Sequence, residues 1–568
     1  MIKLLYILLS VFVLQGCAPT DGDEINRVVY PGGGQQTDPD NSGSSGGSSD
    51  TPKEDYSNEV PMSAITVSRI AQTDEGKPYL EVDGNPYAVY GAQIRFDVFI
   101  NCENMSWAGV ESYFAAAQKL KVNTVQVSLP WKFIEPKEGK FDFSQIDKLM
   151  SYCNKYDLKM ELLWFSTNMI GDSYSWFVPS YVINNSDIKF KRNDPGATHY
   201  LYGYYHGLIL NDKWLLEKET RAITKLFDHI RIWDSKNGEK HPIITVQIHN
   251  EPCAMVRWRM QEKEFKDAYG KSYSQKEIWK MTLEALDAVG QAVQNSSYKV
   301  ATRTNVISKD GAGVNAWPQA PGCYPADVYN LKGIDFLSYD IYNETVNKVA
   351  SDVAAYASIP GNYPLVGENR GAYSNTASLI LAASALGAGY DIYDLATSKF
   401  IADRASNGYE SEGILNPDLS DKAHTPKVRT LIDGLVKASP EVAVTKTEDF
   451  AVFNIQLDKP VKNLDQTIKT TGASIQFKST NDAVGFALDR GDYIVAYVDK
   501  ASTLTFSNGT VTSVETGYFK PDGTFVSESE VSASAKVMMK EGALYKIGFK
   551  SSGALASTTK KNIGTLFF

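Results

Sequence analysis

The sequence predicts an α/β protein, a (β/α)8 or TIM barrel, followed by a C-terminal all-β sandwich. Three observations carry this reading. Across 61–438, short apolar and β-branched runs alternate with amphipathic helical stretches until eight strands have been counted. From 439 onward no convincing helix remains, and short strands are separated by turn pairs such as Asn508-Gly509 and Asp522-Gly523. Finally, two of the barrel runs end in a carboxylate, Glu251 and Glu368, and a strand end is where such a barrel presents working groups. A doubly wound open sheet would also alternate strands and helices, but the count of eight argues against it.

The first 17 residues place one lysine, Lys3, before an apolar stretch too short for a permanent transmembrane helix. They end in Leu14-Gln15-Gly16-Cys17, which resembles a bacterial lipobox, so Cys17 is expected to become the lipidated first residue of an exported outer-membrane lipoprotein, facing the periplasm or the cell surface. Residues 18–60, with Gly32-Gly33-Gly34 and a Ser/Gly run over 42–49, read as a flexible tether.

The barrel strands are expected at 87–94, 123–131, 159–165, 242–252, 298–305, 334–342, 363–368 and 389–395. Helices are expected at 107–120, 144–156, 213–233, 264–294, 351–358 and 377–386, with a long Tyr- and Trp-rich excursion over 166–212. In the tail, strands are expected at 450–457, 483–488, 492–498, 502–506, 510–516 and 544–549.

Composition narrows the function classes. The chain has 568 residues, 43% of them apolar, enough for a large domain and a smaller companion. A net charge of −10 argues against a nucleic-acid partner. Its 32 Tyr and 9 Trp suit a sugar-binding cleft and equally a large core. Cys102, Cys153, Cys253 and Cys323 show no CxxC pairing, and no His/Cys cluster suggests a metal site. Export permits disulfides, and buried thiols fit as well.

The chemistry rests on the two strand-end carboxylates. Glu251 closes Pro-Ile-Ile-Thr-Val-Gln-Ile-His-Asn-Glu-Pro (242–252), and Glu368 lies in Tyr-Pro-Leu-Val-Gly-Glu-Asn-Arg (363–370). Strands four and seven face each other across a barrel mouth. Two carboxyl groups about 5–5.5 Å apart let one attack the anomeric carbon while the other protonates the departing oxygen, whereas about 6.5–9.5 Å admits a water and inverts the centre. Asn250 offers an amide to a neighbouring ring hydroxyl. Arg95, Trp131, Trp164 and Asn305 end or follow other strands and are candidate substrate contacts, each with an ordinary surface or core role as the alternative. Glu135 reads as a solvated loop charge and His249 as facing the barrel wall. No metal or organic cofactor is required by this chemistry.

These residues also carry a family resemblance. Asn250-Glu251-Pro252 on strand four, with Glu368 on strand seven, resembles clan A of the glycoside hydrolases. The resemblance implies a retaining enzyme with Glu251 as acid/base and Glu368 as nucleophile. Residues 81–93 are similar to the first strand of family 35 β-galactosidases, and 131–143 resemble the strand-two loop shared by families 35 and 42. Val-Gln-Ile-His-Asn-Glu (246–251) matches their Gln-x-x-Asn-Glu arrangement. Ser-Tyr-Asp-Ile-Tyr (338–342) is similar to their sixth strand, whose tyrosine, here Tyr342, leans on the nucleophile. On that reading Tyr342 and Arg370 hold Glu368 ionised. Asn343 stands where a proline is usual, and 166–212 departs from both families. With its lipobox, the chain also resembles the lipoprotein β-galactosidases of family 147, which act on pectic galactan.

The expected protein is therefore a lipid-anchored retaining β-glycosidase, an exo-acting β-galactosidase on plant-type galactosides. Its partners are an oligo- or polysaccharide substrate and a membrane reached only through the lipid anchor, with no nucleic acid. The rival readings are an endo-β-glycanase of the same clan and a non-catalytic glycan-binding lipoprotein.

Overall fold

The computed structural model describes residues 56–169, 177–192, 207–252, 265–307, 325–398, 412–455 and 460–556. Cys17, nearly all of the tether, much of the 166–212 excursion, Cys253 and Cys323 lie outside the described residues.

Eight parallel strands close into a barrel. They are β1 (Tyr90–Ile94), β2 (Thr124–Pro130), β3 (Lys159–Met169), β4 (Ile243–Asn250), β5 (Ala301–Ile307), β6 (Phe336–Asp340), β7 (Leu365–Arg370) and β8 (Gly389–Tyr393). Each is followed by a helix: α1 (Trp107–Leu120), α2 (Ser144–Tyr156), α3 (Lys213–Lys236), α4 (Gln275–Gln294), α5 (Pro325–Tyr329), α6 (Val346–Ala357), α7 (Thr376–Ala385) and α8 (Thr425–Lys437). The helices bury apolar faces, such as Val110, Phe114, Ala117 and Leu120 of α1, against the outward side of the strands.

The inward side is polar. Arg303 on β5 is wholly buried and donates from Nε to Glu161 on β3 at 3.0 Å. Its Nη1 donates to Gln247 on β4 at 2.5 Å and to Ser338 on β6 at 2.6 Å. On the other side of the lumen, Gln126 on β2 donates to Asp391 on β8 at 2.8 Å and accepts from Gln93 on β1 at 3.1 Å. Gly91 makes room for this layer, since a Cβ there would stand 1.8 Å from Asp391 Oδ1. The strands are buried on both faces as their apolar runs predict. The alternate residues form a hydrogen-bonded network in place of the usual branched aliphatic filling.

In the barrel the structure departs from three of the predicted elements, and α5 and α8 are helices that the sequence pattern did not mark. The first expected strand, 87–94, is two: Asn85–Tyr87 closes a three-stranded antiparallel sheet with Ser68–Gln72 and Pro78–Val82, and β1 begins only at Tyr90. The reversal at Asp83-Gly84, with φ of 52° and 77°, makes the tight turn. Val67 beside this sheet donates to Lys299 O at 2.9 Å, and Ser68 bonds Ile244 O, so the sheet caps the amino-terminal end of the barrel.

The helix expected over 264–294 starts only at Gln275. Phe265–Asp267 and Ser272–Tyr273 pair instead, and Phe265–Asp267 also pairs with Phe190–Arg192 from the long excursion. Gly270 at φ 87° turns that hairpin, and Ser274 with Glu277 forms a capping box that starts α4. The expected 351–358 helix begins earlier, at Val346.

The boundary expected at 438/439 falls between α8 and a short helix, Ser439–Val444, and the first tail strand starts at Phe450. Beyond it lie antiparallel sheets of six and four strands. Phe453 of one stacks on Phe477 of the other at 4.8 Å, and Ala451, Ile475, Val498 and Phe506 close the core between them. Leu464–Lys469, Ser474–Ser479, Phe525–Val531 and Lys536–Met539 are strands that the sequence pattern did not mark. The sandwich docks on α8. Tyr497 lies over Gly434, where a Cβ would meet its ring at 2.5 Å, and Lys427 pairs with Asp499 at 3.0 Å.

Removing the Arg303 cation leaves Glu161 buried without its partner. Arg303→Met is expected to cost about 3–5 kcal/mol in urea unfolding, the usual penalty for breaking one side of a buried pair. A loss below about 1 kcal/mol would show that the lumen tolerates the uncompensated carboxyl.

Candidate active site

Three carboxyl groups meet at the carboxyl-terminal mouth of the barrel. Asp340 ends β6 and pairs in register with Glu368 on β7, and Glu251 follows β4 directly. All are buried: Asp340 is 0%, Glu251 8% and Glu368 9% exposed. The backbone here is held in an unusual form. His249, Glu251 and Tyr342 have φ of 63°, 44° and 47°, a region that costs a side-chain-bearing residue about 1–3 kcal/mol and persists only where neighbours impose it. Asn305 imposes it on Glu251, whose N–H donates to Asn305 Oδ1 at 2.7 Å.

Asn305 is the junction of the site. Its Nδ2 donates to Asn250 Oδ1 at 2.9 Å and to Asp340 Oδ2 at 2.8 Å. Gln247 also donates to Asn250 Oδ1, at 3.1 Å, so both donors engage the same oxygen. Among the described residues the Asn250 Nδ2 is left for another partner. Asn305 thus positions the end of β4 that carries Glu251 rather than simply lining the mouth.

The two glutamates have opposed surroundings. Glu368 accepts from Tyr342 Oη and, at 3.0 Å, from Gln93 Nε2. Burial pushes its carboxyl up, while Tyr342, Gln93, Arg95 and Arg303 pull the other way. Glu251 is pushed up to about 8 by burial first and by the charge of Glu368 second, opposed only by a hydrogen bond with Asp340. Of the two, Glu368 ionises first, and Glu251 keeps its proton at neutral pH.

Several expected contacts lie elsewhere. Arg370 pairs with Glu412 at 2.9 Å and stands over the Tyr342 ring, so the cations that favour the Glu368 anion are Arg95 and Arg303. Arg95 itself is clamped by Asp97 at 2.9 and 3.0 Å and reaches Tyr393 Oη at 3.3 Å. Trp131 and Trp164 are fully buried, with their rings 6.5 Å apart and their N–H groups on Glu135 and Glu219. Their rings belong to the core, and neither face is open to a sugar. Glu135 is no solvated loop charge: it is fully buried between Trp131, Tyr181 and Arg221. His249 does face the wall, at 3.0 Å from Glu219 on α3.

Gln93, Asp340, Arg303 and Glu412 were not singled out from the sequence. Gln93 and Asp340 lie inside the stretches 81–93 and 338–342 that carry the family resemblance, and Arg303 is the charged residue of the strand Ala301–Ile307. Those were the available signals. Among the described residues no group of three or more His, Cys, Asp or Glu side chains is arranged to hold a metal ion.

Known proteins match this chain in two halves. Residues 101–296, which include Asn250 and Glu251, match the family model described as beta-galactosidase, glycoside hydrolase family 42. The match is to a family of glycoside hydrolases and covers part of the barrel. Residues 281–460, which include Asp340, Tyr342 and Glu368, match a domain of unknown function, DUF4978, and the two matches meet within α4. The human beta-galactosidase-1-like protein 3 is 26% identical over 192 residues, 32% of this chain, which spans 24% of that protein's length. Among solved structures, a beta-galactosidase from Halorubrum lacusprofundi aligns at 12% identity and a TM-score of 0.42, over 61% of this chain and 58% of that one. An endo-1,4-beta-mannanase from Rhizomucor miehei aligns at 13% identity and a TM-score of 0.44, over 65% of this chain and all of the other, 100%.

Acid/base chemistry by Glu251 with nucleophilic attack by Glu368 would need a proton on the first and a charge on the second. Activity is therefore expected to fall as pH rises through about 8, where Glu251 loses its proton, and to fall again on the acid side as Glu368 gains one. The pH profile of kcat/KM on an aryl β-glycoside reads both limbs. A basic limb at or below pH 6 would contradict the assignment.

Proposed function

We propose that the protein is a retaining, exo-acting β-galactosidase that takes galactose from the non-reducing end of plant-type β-galactosides. One observation carries this reading: two buried carboxyls at one mouth, one surrounded by donors and guanidinium groups and the other kept protonated. Glu368 attacks the anomeric carbon and forms a glycosyl ester. Glu251 gives its proton to the departing oxygen, then takes one from the water that hydrolyses the ester. Tyr342 and Gln93 aim the attacking oxygens, and Asn250 presents its amide beside the reacting carbon. The choice of galactose is supported by the beta-galactosidase family match over 101–296.

The test uses 4-nitrophenyl β-galactoside, β-1,4-galactan and anomer detection by proton NMR. Glu368→Ala is expected to abolish turnover. Glu251→Ala should lose about 10²–10⁴ in rate on unactivated galactosides and regain rate with azide. Free β-galactose as first product supports the reading. An α-anomer would establish inversion, and a ladder of oligosaccharides would replace exo with endo action.

We also infer that Cys17 anchors the enzyme to the outer membrane, supported by Leu14-Gln15-Gly16-Cys17 and the tether behind it. Cys17→Ser should abolish palmitate labelling and move the protein to the soluble fraction. Membrane retention by the variant would refute the anchor.

A further inference from the structure

Asn369 and Arg370 follow Glu368 directly, and the reaction as written uses neither. Both engage the surroundings of Tyr342, the phenol that donates to Glu368 Oε2. Asn369 is wholly buried. Its Oδ1 accepts from the Asn343 N–H at 3.0 Å, and its Nδ2 donates to Asn343 O at 3.0 Å and to Tyr390 Oη at 2.9 Å. The first of these bonds needs an N–H at 343, which a proline would lack. On the other side of Tyr342, the Ile341 N–H donates to Glu368 O at 2.9 Å. The chain is thus tied to β7 on both sides of the residue whose φ is 47°. Asn369 holds that left-handed turn as Asn305 holds the one at Glu251.

The ring of Tyr342 is fixed by other groups. The Arg370 guanidinium stands over it, 5.6 Å from its centre, and pairs through Nε with Glu412 at 2.9 Å. Tyr393 meets the same ring at 5.7 Å and 76°. Glu412 is buried, and its backbone carbonyl accepts from the Ala372 N–H at 2.9 Å, so the anion that holds Arg370 is itself anchored just past β7.

We propose that Asn369 and Arg370 are positioning residues for the nucleophile: the first sets the backbone of Tyr342 and the second its ring, so that the phenol stays aimed at Glu368 Oε2. This rests on Glu368 being the nucleophile. A donor held in place beforehand does not have to be ordered at the moment of attack. The other titratable and charged groups facing Glu368 are Glu251 past β4, Asp340 on β6, Asp391 and Tyr393 on β8, Glu412, and the cations Arg95 and Arg303. Replacing Arg370 strips Glu412 of that cation, so Glu412→Gln accompanies it in the test.

The experiment reads the acid limb of kcat/KM on 2,4-dinitrophenyl β-galactoside, whose leaving group departs without a proton, so that the limb reports Glu368. It compares wild type, Tyr342→Phe, Asn369→Ala and the double variant Arg370→Met with Glu412→Gln, then repeats the last two in the Tyr342→Phe background. Loss of the phenol's hydrogen bond withdraws support from the Glu368 anion, so the limb moves to higher pH. Tyr342→Phe is expected to move it by about one pH unit, and each of the other two by about half a unit or more. In the Tyr342→Phe background both should add less than about 0.2 unit, because no phenol remains to be positioned. Arg370→Lys, which keeps a cation beside the ring, should lie nearer wild type. Unmoved limbs, or shifts that persist in full without the phenol, would overturn the role, and a limb moved by one variant alone would overturn it for the other residue. Thermal unfolding controls for folding, and Arg370, with its side chain 29% exposed, keeps the test decisive should Asn369→Ala fail to fold. If Glu368→Ala with azide yields no α-galactosyl azide by displacement of dinitrophenolate, the nucleophile assignment falls, and this inference with it. If that product forms while the limbs stay at the wild-type position, only the inference falls.

Discussion

The Arg303 guanidinium holds the centre of the barrel. It spans from Glu161 on one wall to Gln247 and Ser338 on the other, with no exposure to water. A cation buried this deeply is stable only with its partners in place, so it dictates which residues can occupy four neighbouring strands. It also sets the charge balance above it. Five buried carboxyl groups, Glu161, Glu251, Asp340, Glu368 and Asp391, share the lumen and mouth with Arg303 and, at the rim, Arg95. Two guanidinium groups cannot neutralise five anions in a medium that screens poorly, so some of the carboxyls remain protonated.

The distribution of protons is what separates the roles of two chemically identical side chains. Glu368 is approached by a phenol, an amide and two guanidinium groups, all of which favour the anion. Glu251 is held away from water and stands beside the Glu368 charge, and both favour retention of a proton. The left-handed backbone at His249, Glu251 and Tyr342 belongs to the same arrangement. Asn305 and the packing of His249 against Glu219 fix an otherwise costly conformation, so the strand end stays rigid when charge develops.

Much of this was legible in the chain. The eight strand runs, six of the eight helices between them and the change of character after 439 appear because burial imposes apolar residues at helix or strand period. Glu251 and Glu368 stood out because burying an ionisable group at a strand end is costly and is tolerated mainly where that group does chemistry. The hairpin at 265–273 was not legible: its strands are short, polar and paired with Phe190–Arg192, a partner some 75 residues away. Arg370 beside Glu368 in sequence suggested an ion pair. Residues two apart share a face of a regular strand, but the pairing of β7 with β8 shifts register between Val366 and Asn369, and Arg370 finds Glu412 instead.

By itself, the sequence determined the barrel, the sandwich and the two strand-end carboxylates, since each is written in local pattern. Only the tertiary structure decided what surrounds them. It put Trp131 and Trp164 in the core, made Asn305 a bridge between Asp340 and the Glu251 backbone, and drew a buried arginine beneath the mouth. Those contacts join strands separated by tens to hundreds of residues. Which carboxyl keeps its proton depends on burial and on the charges across the lumen, and closure of the barrel creates both.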